Sequence, residues 1–183
     1  MEQDFKLLAI VGMPGSGKSE AAKFFKDKGI PVLRFGDQTD IGLKELGMEL
    51  NEKNEKWYRE DIRKELGMAA MAIKIEPRIN AVKDKRNFII LDGLYSWEEY
   101  IYLLEKFPNL KLLCIYTRPK IRHQRLGLRE VRPLTTNEAK NRDFAELKNL
   151  NKGGPIAIAD YLIQNEDTLE EFQKDLEKLY LSL

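Results

Sequence analysis

Hydrophobic and polar positions along the chain follow two alternating patterns. Short apolar runs rich in β-branched residues are separated by longer segments with helical periodicity or helix-forming composition. Strand alternating with helix is typical of an α/β domain whose largely parallel sheet is covered by helices on both faces. The predicted strands are residues 5–11, 31–35, 87–91, 110–116 and 159–163.

Two segments interrupt this alternation within what we expect to be one domain, residues 1–183. Residues from about 40 to 84 are mostly helical in pattern, and in a sheet of this type such an insertion usually builds one wall of the site. Residues 118–152 form a second insertion, which is highly charged. The last helix is predicted to be capped by Asp167 or Thr168, with Glu170 and Glu171 in its first turn.

Composition and charge restrict the classes of partner. Hydrophobic residues make up 43% and charged residues 33% of the chain, which is ordinary for a soluble globular protein. Lys and Arg total 31 against 30 for Asp and Glu, so a net charge of +1 gives no global attraction for nucleic acid or an anionic membrane. Any anion site must therefore be local.

The sequence favours a cytoplasmic protein. A single cysteine, Cys114, rules out an internal disulfide framework and fits a reducing compartment. No apolar run approaches the roughly 18 residues that span a membrane. The N-terminal sequence MEQDFK contains acidic residues and leads directly into a predicted strand, unlike a signal peptide. The oligomeric state is left open.

A phosphate-loop motif follows the first predicted strand. The sequence GMPGSGKS, from Gly12 to Ser19, matches G-x-x-x-x-G-K-[ST] at every fixed position and precedes a helical pattern. Glycines let backbone N–H groups curve around an anion, and the helix N-terminus adds its positive dipole end. Lys18 is then expected on the β- and γ-phosphates of ATP, and the Ser19 hydroxyl on Mg²⁺. The candidate ATP-binding residues are Gly12, Pro14, Gly15, Ser16, Gly17, Lys18, Ser19 and Glu20.

A carboxylate ends the third predicted strand, in NFIILDGL. Asp92 is expected at the carboxyl edge of the sheet, where ligands bind in open α/β folds. There it could hold Mg²⁺ directly or through water. The alternative is a turn residue, because Asp-Gly is a favoured turn pair.

A second carboxylate closes the apolar run before DQTD. Asp37 could accept the proton of an attacking hydroxyl during phosphoryl transfer, which would make it a catalytic base. Alternatively, Asp37 caps the following helix, a role that Thr39 or Asp40 could also fill.

An arginine-rich segment, RPKIRHQRLGLREVR, covers residues 118–132. Arg118, Arg122, Arg125 and Arg129 recur at three- and four-residue spacing, so one helix would place them on one face. Guanidinium groups bind phosphates with bidentate geometry, and phosphoryl-transfer enzymes often bring such groups in on a closing lid. We therefore expect Arg122 to bind nucleotide and Arg125 and Arg129 to act in catalysis. A solvated basic face is the alternative.

These motifs, taken in order, resemble a mostly archaeal family of adenylate-kinase-like phosphate-loop kinases related to dephospho-CoA kinase. The resemblance spans nearly the whole chain and includes GMPGSGKSE, Gly36-Asp37, LDG, RHQRLGLR, NRDFAEL and the final IAIADYLIQNEDTLEEF. It implies a three-layer phosphate-loop fold with a five-stranded parallel sheet, similar to nucleoside monophosphate kinases. It also implies ATP and Mg²⁺ at the phosphate loop, a lid carrying Arg122, Arg125 and Arg129, and Asp143 and Arg142 as their partners.

The acceptor side departs from that family pattern. Members usually carry one arginine after the Gly-Asp pair and another after the Asp-Gly pair, whereas Asp40 and Tyr95 stand near those positions here. Arginine grips a phosphate with a fork that few other side chains imitate. The candidates to replace it are Arg59, Arg63 and Arg34.

Three functions fit these observations. The first is a small-molecule kinase that transfers the γ-phosphoryl group of Mg·ATP to a nucleotide-like acceptor, for which the resemblance suggests dephospho-CoA. The second is a nucleoside or deoxynucleoside monophosphate kinase, which the altered acceptor side disfavours. The third is a nucleotide-dependent switch protein with slow ATPase activity. Nucleic-acid binding is disfavoured because the chain is nearly neutral and has no aromatic basic platform.

Overall fold

The computed structural model describes residues 5–183 and contains a five-stranded, all-parallel sheet in the order β2-β3-β1-β4-β5. This confirms the α/β prediction. Residues 1–4, which include the acidic Glu2 and Asp4 of the signal-peptide argument, lie outside the described residues. The strands are β1 (Lys6–Val11), β2 (Val32–Arg34), β3 (Phe88–Asp92), β4 (Leu110–Tyr116) and β5 (Tyr161–Gln164).

Helices cover both faces of the sheet. They are α1 (Lys18–Asp27), α2 (Asp37–Glu45), α3 (Glu52–Leu66), α4 (Ala70–Lys83), α5 (Trp97–Lys106), α6 (Pro119–Gly127), α7 (Thr136–Leu150), α8 (Gly153–Ala157) and α9 (Leu169–Ser182). Along the described chain, no helix is long and apolar enough to cross a membrane.

The sheet separates two hydrophobic clusters because side chains alternate between its faces along each strand. In β1, Leu7 and Ala9 pack with α2 to α5, whereas Leu8 and Ile10 pack with α1 and α9. All four residues are almost fully buried, as expected for the central strand of a parallel sheet. This two-sided core fixes the carboxyl ends of β1, β3 and β4 beside one another.

The predicted strand and helix limits differ from the structure in detail. The fifth strand begins at Tyr161 instead of residue 159, after the short helix α8. The helical insertion consists of α2, α3 and α4. Thr168 caps α9 with a reciprocal Glu171 contact, which confirms one of the two predicted caps.

Candidate active site

The phosphate loop connects β1, the central strand, to α1. Gly15 has φ 79°, and a Cβ there would lie 2.7 Å from the Arg122 carbonyl oxygen. Gly17 has φ 104°, and a Cβ there would lie 2.2 Å from Asn165 Nδ2. Both positions require glycine because of their backbone angles and because neighbouring groups approach so closely.

Polar groups from two other segments hold the loop in place. Asn165 Nδ2 donates to the Ser16 carbonyl oxygen at 2.8 Å, and the Thr117 hydroxyl lies 3.1 Å from the same oxygen. The Thr117 hydroxyl also lies 2.8 Å from the Asn165 carbonyl oxygen. The loops that follow β4 and β5 therefore fix the loop conformation, and Asn165 is a supporting residue that the sequence analysis missed.

Lys18 points back over its own loop. Its Nζ donates to the Met13 carbonyl oxygen at 3.0 Å. Burial, and next the positive charge of Lys152, lower the pKa of Lys18 to about 7, while Glu146 and Asp92 oppose the shift. An anion in front of the loop would favour the charged form of this lysine.

The loop opens into a cavity of about 450 Å³ whose lining is rich in cations. Of the predicted nucleotide-binding residues, Gly12, Ser16 and Arg122 do not line it. Positive charge exceeds negative charge, as a polyanionic ligand requires. The lining residues predicted to bind nucleotide are Pro14, Gly15, Gly17, Lys18, Ser19 and Glu20. The lining cations are Lys18, Arg34, Arg125, Arg129, Arg142 and Lys152, and the lining carboxylates are Glu20, Asp92 and Glu146.

Ser19 and Asp92 bring two oxygen donors to this cavity. Burial raises the pKa of Asp92, and Arg34, whose Nε lies 3.6 Å from Oδ2, opposes the rise. Within residues 5–183, no group of three or more His, Cys, Asp or Glu residues is arranged to hold a metal ion. A hydroxyl and a carboxylate fit Mg²⁺, which takes few protein ligands and completes its shell with water and phosphate oxygens.

Asp37 lies beside Asp92, with Arg34 between them. Arg34 Nη1 is 3.8 Å from Asp37 Oδ1, and Arg78 Nη2 donates to Asp37 Oδ2 at 3.3 Å. The capping alternative is wrong: the N-cap of α2 is Gly36, with no side-chain cap bond, and Asp37 is already in the first turn. Among residues 5–183, the buried Thr39 hydroxyl oxygen has no hydrogen-bond partner, so Thr39 does not cap α2 either.

Arg78, in α4, is a residue that the sequence analysis missed. It meets Asp37 across 41 positions of sequence. Its one signal was a lone arginine in an otherwise largely apolar helix, directly after Pro77. Of the three arginines proposed for the acceptor side, Arg34 lines the cavity, while Arg59 pairs with Glu55 at 3.5 Å on its own helix and Arg63 is also outside the lining.

The prediction that four arginines share one helical face is wrong in its extent. Helix α6 ends at Gly127, so Arg118 precedes it and Arg129 follows it. Arg118 pairs with Glu166. Arg125 and Arg129 line the cavity, and Arg125 Nη1 donates to the Asn165 carbonyl oxygen at 3.0 Å.

Arg122 is buried beneath the phosphate loop. Its Nη1 donates to the Pro14 carbonyl oxygen at 3.0 Å and its Nε to the Thr117 carbonyl oxygen at 3.0 Å. Its two Nη atoms also donate to the Asp143 carboxylate at 2.9 and 2.8 Å. The guanidinium group therefore fastens α6 and α7 to the loop.

We expect Arg122→Met to lower the free energy of unfolding by about 3 kcal/mol, measured by urea denaturation. The change leaves the Asp143 carboxylate without its guanidinium; His123 Nε2, 2.9 Å away, compensates in part. Lys120→Met, at an exposed position of the same helix, is the control and should shift stability by less than about 0.5 kcal/mol. Equal effects of the two variants would contradict this account of Arg122.

Comparison with known proteins identifies sequence relatives and solved structures that share the fold. The chain is 36% identical over 175 residues to a UPF0200 protein of Pyrococcus abyssi, with 93% of each chain covered. It superposes on shikimate kinase of Bacteroides thetaiotaomicron with a TM-score of 0.62 and 13% identity, covering 97% and 99% of the two chains. A gluconokinase of Sinorhizobium meliloti gives 0.52 and 15%, covering 100% and 99%. No protein-family profile matches the chain. The fold is that of the phosphate-loop kinases.

Proposed function

The chain belongs to the UPF0200 family and has the fold of phosphate-loop kinases, and from this premise we propose that it transfers the γ-phosphoryl group of Mg·ATP to a small-molecule acceptor. One observation carries the proposal. The phosphate loop, two arginines that follow it by more than a hundred residues and a strand-end carboxylate all line one cavity of about 450 Å³. This combination supplies the positioning and charge compensation that phosphoryl transfer needs.

On the donor side, the phosphate loop binds the triphosphate. The backbone of Gly15 and Gly17 cradles it, and Lys18 leaves the Met13 carbonyl oxygen to contact the β- and γ-phosphates. Ser19 and Asp92 would hold Mg²⁺, which neutralises charge on the phosphates when bound. Asn165 and Thr117 keep the loop rigid, so these contacts need little reorganisation.

Residues 118–152 are proposed to act as the lid. Arg125 and Arg129 line the cavity from this segment and would stabilise the charge on the transferring group while excluding water. Arg122 would support this lid without contacting the nucleotide, because its ion pair with Asp143 fixes how α6 and α7 lie over the phosphate loop.

On the acceptor side, Asp37 is proposed as the general base. Arg34 and Arg78 orient its carboxylate. Asp37 does not line the phosphate-loop cavity but a neighbouring one, and the two cavities share Ser19, Arg34 and Asp92. A base in this role must reach the acceptor hydroxyl at hydrogen-bonding distance as the substrate binds. Dephospho-CoA, whose ribose hydroxyl would attack, is the acceptor that the sequence resemblance suggests.

The test is ADP release by the purified protein with Mg·ATP across a panel of acceptors. The panel holds dephospho-CoA, the ribo- and deoxynucleoside monophosphates, several nucleosides, shikimate, gluconate and a control without acceptor. Strong stimulation by one compound would establish a kinase and name its acceptor. A slow rate that no acceptor changes would contradict the kinase proposal and favour the nucleotide-dependent switch.

We expect the double variant Arg125→Ala/Arg129→Ala to lose about 10³-fold in turnover while ATP binding weakens only modestly. Guanidinium groups at the transferring phosphoryl act mainly in the transition state, so kcat falls more than affinity. The control is Lys120→Ala/Arg132→Ala, at two exposed positions of the same segment outside the cavity lining. Unchanged turnover in the first variant would remove both arginines from the mechanism.

A further inference from the structure

Lys152 is a buried cation that the mechanism above leaves unused. Only 2% of its side chain is exposed, and it lies at the junction of α7 and α8. Its Nζ is 4.6 Å from the centre of the Tyr95 ring, a position in which the ring face attracts a cation. Keeping an ammonium group out of water is costly, so its presence in the cavity wall requires an explanation beyond packing.

The anionic partner of Lys152 is shared. Glu146 Oε2 accepts from Lys152 Nζ, and Glu146 Oε1 accepts from Arg142 Nε at 3.0 Å. Two cations thus divide one carboxylate, and all three residues line the cavity. We call Arg142, Glu146 and Lys152 the Lys152 cluster. It carries one positive charge more than its own carboxylate neutralises.

The donor side does not need this charge. Three of the lining cations, Lys18, Arg125 and Arg129, are assigned to the triphosphate. A fourth, Arg34, is engaged by Asp37 and Asp92. Of the lining cations, only those of the Lys152 cluster have no role in this assignment, and they line the same cavity as Lys18. Like charges placed together in this way are stabilised when another anion lies between them.

We propose that Lys152, positioned by Glu146, binds a phosphate group that the acceptor already carries, so that the acceptor is a phosphorylated metabolite and not a neutral alcohol. The inference rests on the proposed kinase function and narrows its substrate class. Lys152 supplies the compact point charge, and the exposed end of Arg142 supplies further donors to the same phosphate. Tyr95 contributes the aromatic wall that holds the ammonium group in the cavity.

The test measures inorganic phosphate binding by calorimetry while Mg²⁺ and the β,γ-imido analogue of ATP fill the donor site. Wild-type protein should bind phosphate, and Lys152→Met should weaken that binding at least about tenfold with the affinity for the ATP analogue nearly unchanged. Lys148→Met, at an exposed position near the end of α7, is the matched control and should behave as wild type.

Several results would overturn the inference. Wild-type protein that takes up the ATP analogue but no phosphate would leave the kinase proposal standing and remove the second site. If Lys152→Met bound phosphate as tightly as the wild type, Lys152 would not be part of the phosphate site. A matching loss of ATP-analogue affinity in that variant would place Lys152 on the donor side. If acetate bound as tightly as phosphate, the site would recognise a carboxylate, and the acceptor would carry a carboxylate group instead of a phosphate. Failure of the wild type to bind the ATP analogue would instead defeat the proposed function itself.

Discussion

Lys18→Ala should lower kcat/KM by at least about 10²–10³-fold, the largest loss we expect from a single substitution on the donor side. The lysine already lies over the phosphate loop, with its Nζ 3.0 Å from the Met13 carbonyl oxygen, and needs to move little to reach the β- and γ-phosphates. Its charge is partly buried, where electrostatic interactions are stronger than in water. Alanine removes both the positive charge and the long side chain that would bring it to the phosphates.

The measurements are ATP-analogue affinity by calorimetry and turnover with the acceptor that the panel identifies. Lys23→Ala is a matched control, because Lys23 is also on α1 but is exposed and pairs with Asp27 at 2.7 Å. Thermal unfolding of each variant separates loss of chemistry from loss of fold. Normal binding and turnover in Lys18→Ala would show that the loop does not bind a triphosphate.

Asp37→Asn should depress phosphoryl transfer by about 10²–10⁴-fold and leave ATP affinity close to wild type. Asparagine keeps the size of the side chain and accepts from Arg78, but it cannot take the proton of an attacking hydroxyl. The loss should therefore appear in kcat and not in the KM for ATP.

The control for Asp37 is Asp40→Asn, one turn along α2 at an exposed position. It should keep at least about half of the wild-type turnover, since Asp40 is exposed and lines neither the phosphate-loop cavity nor the neighbouring cavity that Asp37 lines. If Asp37→Asn is as active as Asp40→Asn, the carboxylate only anchors Arg34 and Arg78, and the acceptor's nucleophile needs no base. A phosphate oxygen as nucleophile would give that result.

The two carboxylates show how far local sequence can lead. Asp92 was placed correctly because it ends a strand of a parallel sheet, and such ends meet at one edge. Asp37 was predicted to follow a strand in the same way, but β2 ends at Arg34 and Asp37 is the first residue of α2. Its partner Arg78 could not be predicted. Arg78 is 41 residues away, and its contact depends on how α4 packs against α2.

The arginine segment shows where periodicity failed. The spacing of Arg118, Arg122, Arg125 and Arg129 predicted one face, but α6 ends at Gly127 and the four side chains separate. Arg122 is drawn inward by Asp143 and the Pro14 carbonyl oxygen. Spacing describes a surface only for as long as the helix lasts, and it does not tell which charged residue a neighbouring helix will bury.

The sequence by itself determined the alternation of strand and helix and the phosphate loop, because each depends on contiguous residues whose backbone conformation and burial pattern are local. The alternation in turn predicted a parallel sheet, because parallel strands need crossover connections. Only the tertiary structure decided that Arg122 supports the loop instead of lining the cavity, that Arg78 holds Asp37, and that Lys152 faces the same cavity as Lys18. These side chains meet across long stretches of sequence, where the packing of helices on the sheet sets the distance. The sequence shows which residues are cations, but the fold determines which partner each of them contacts.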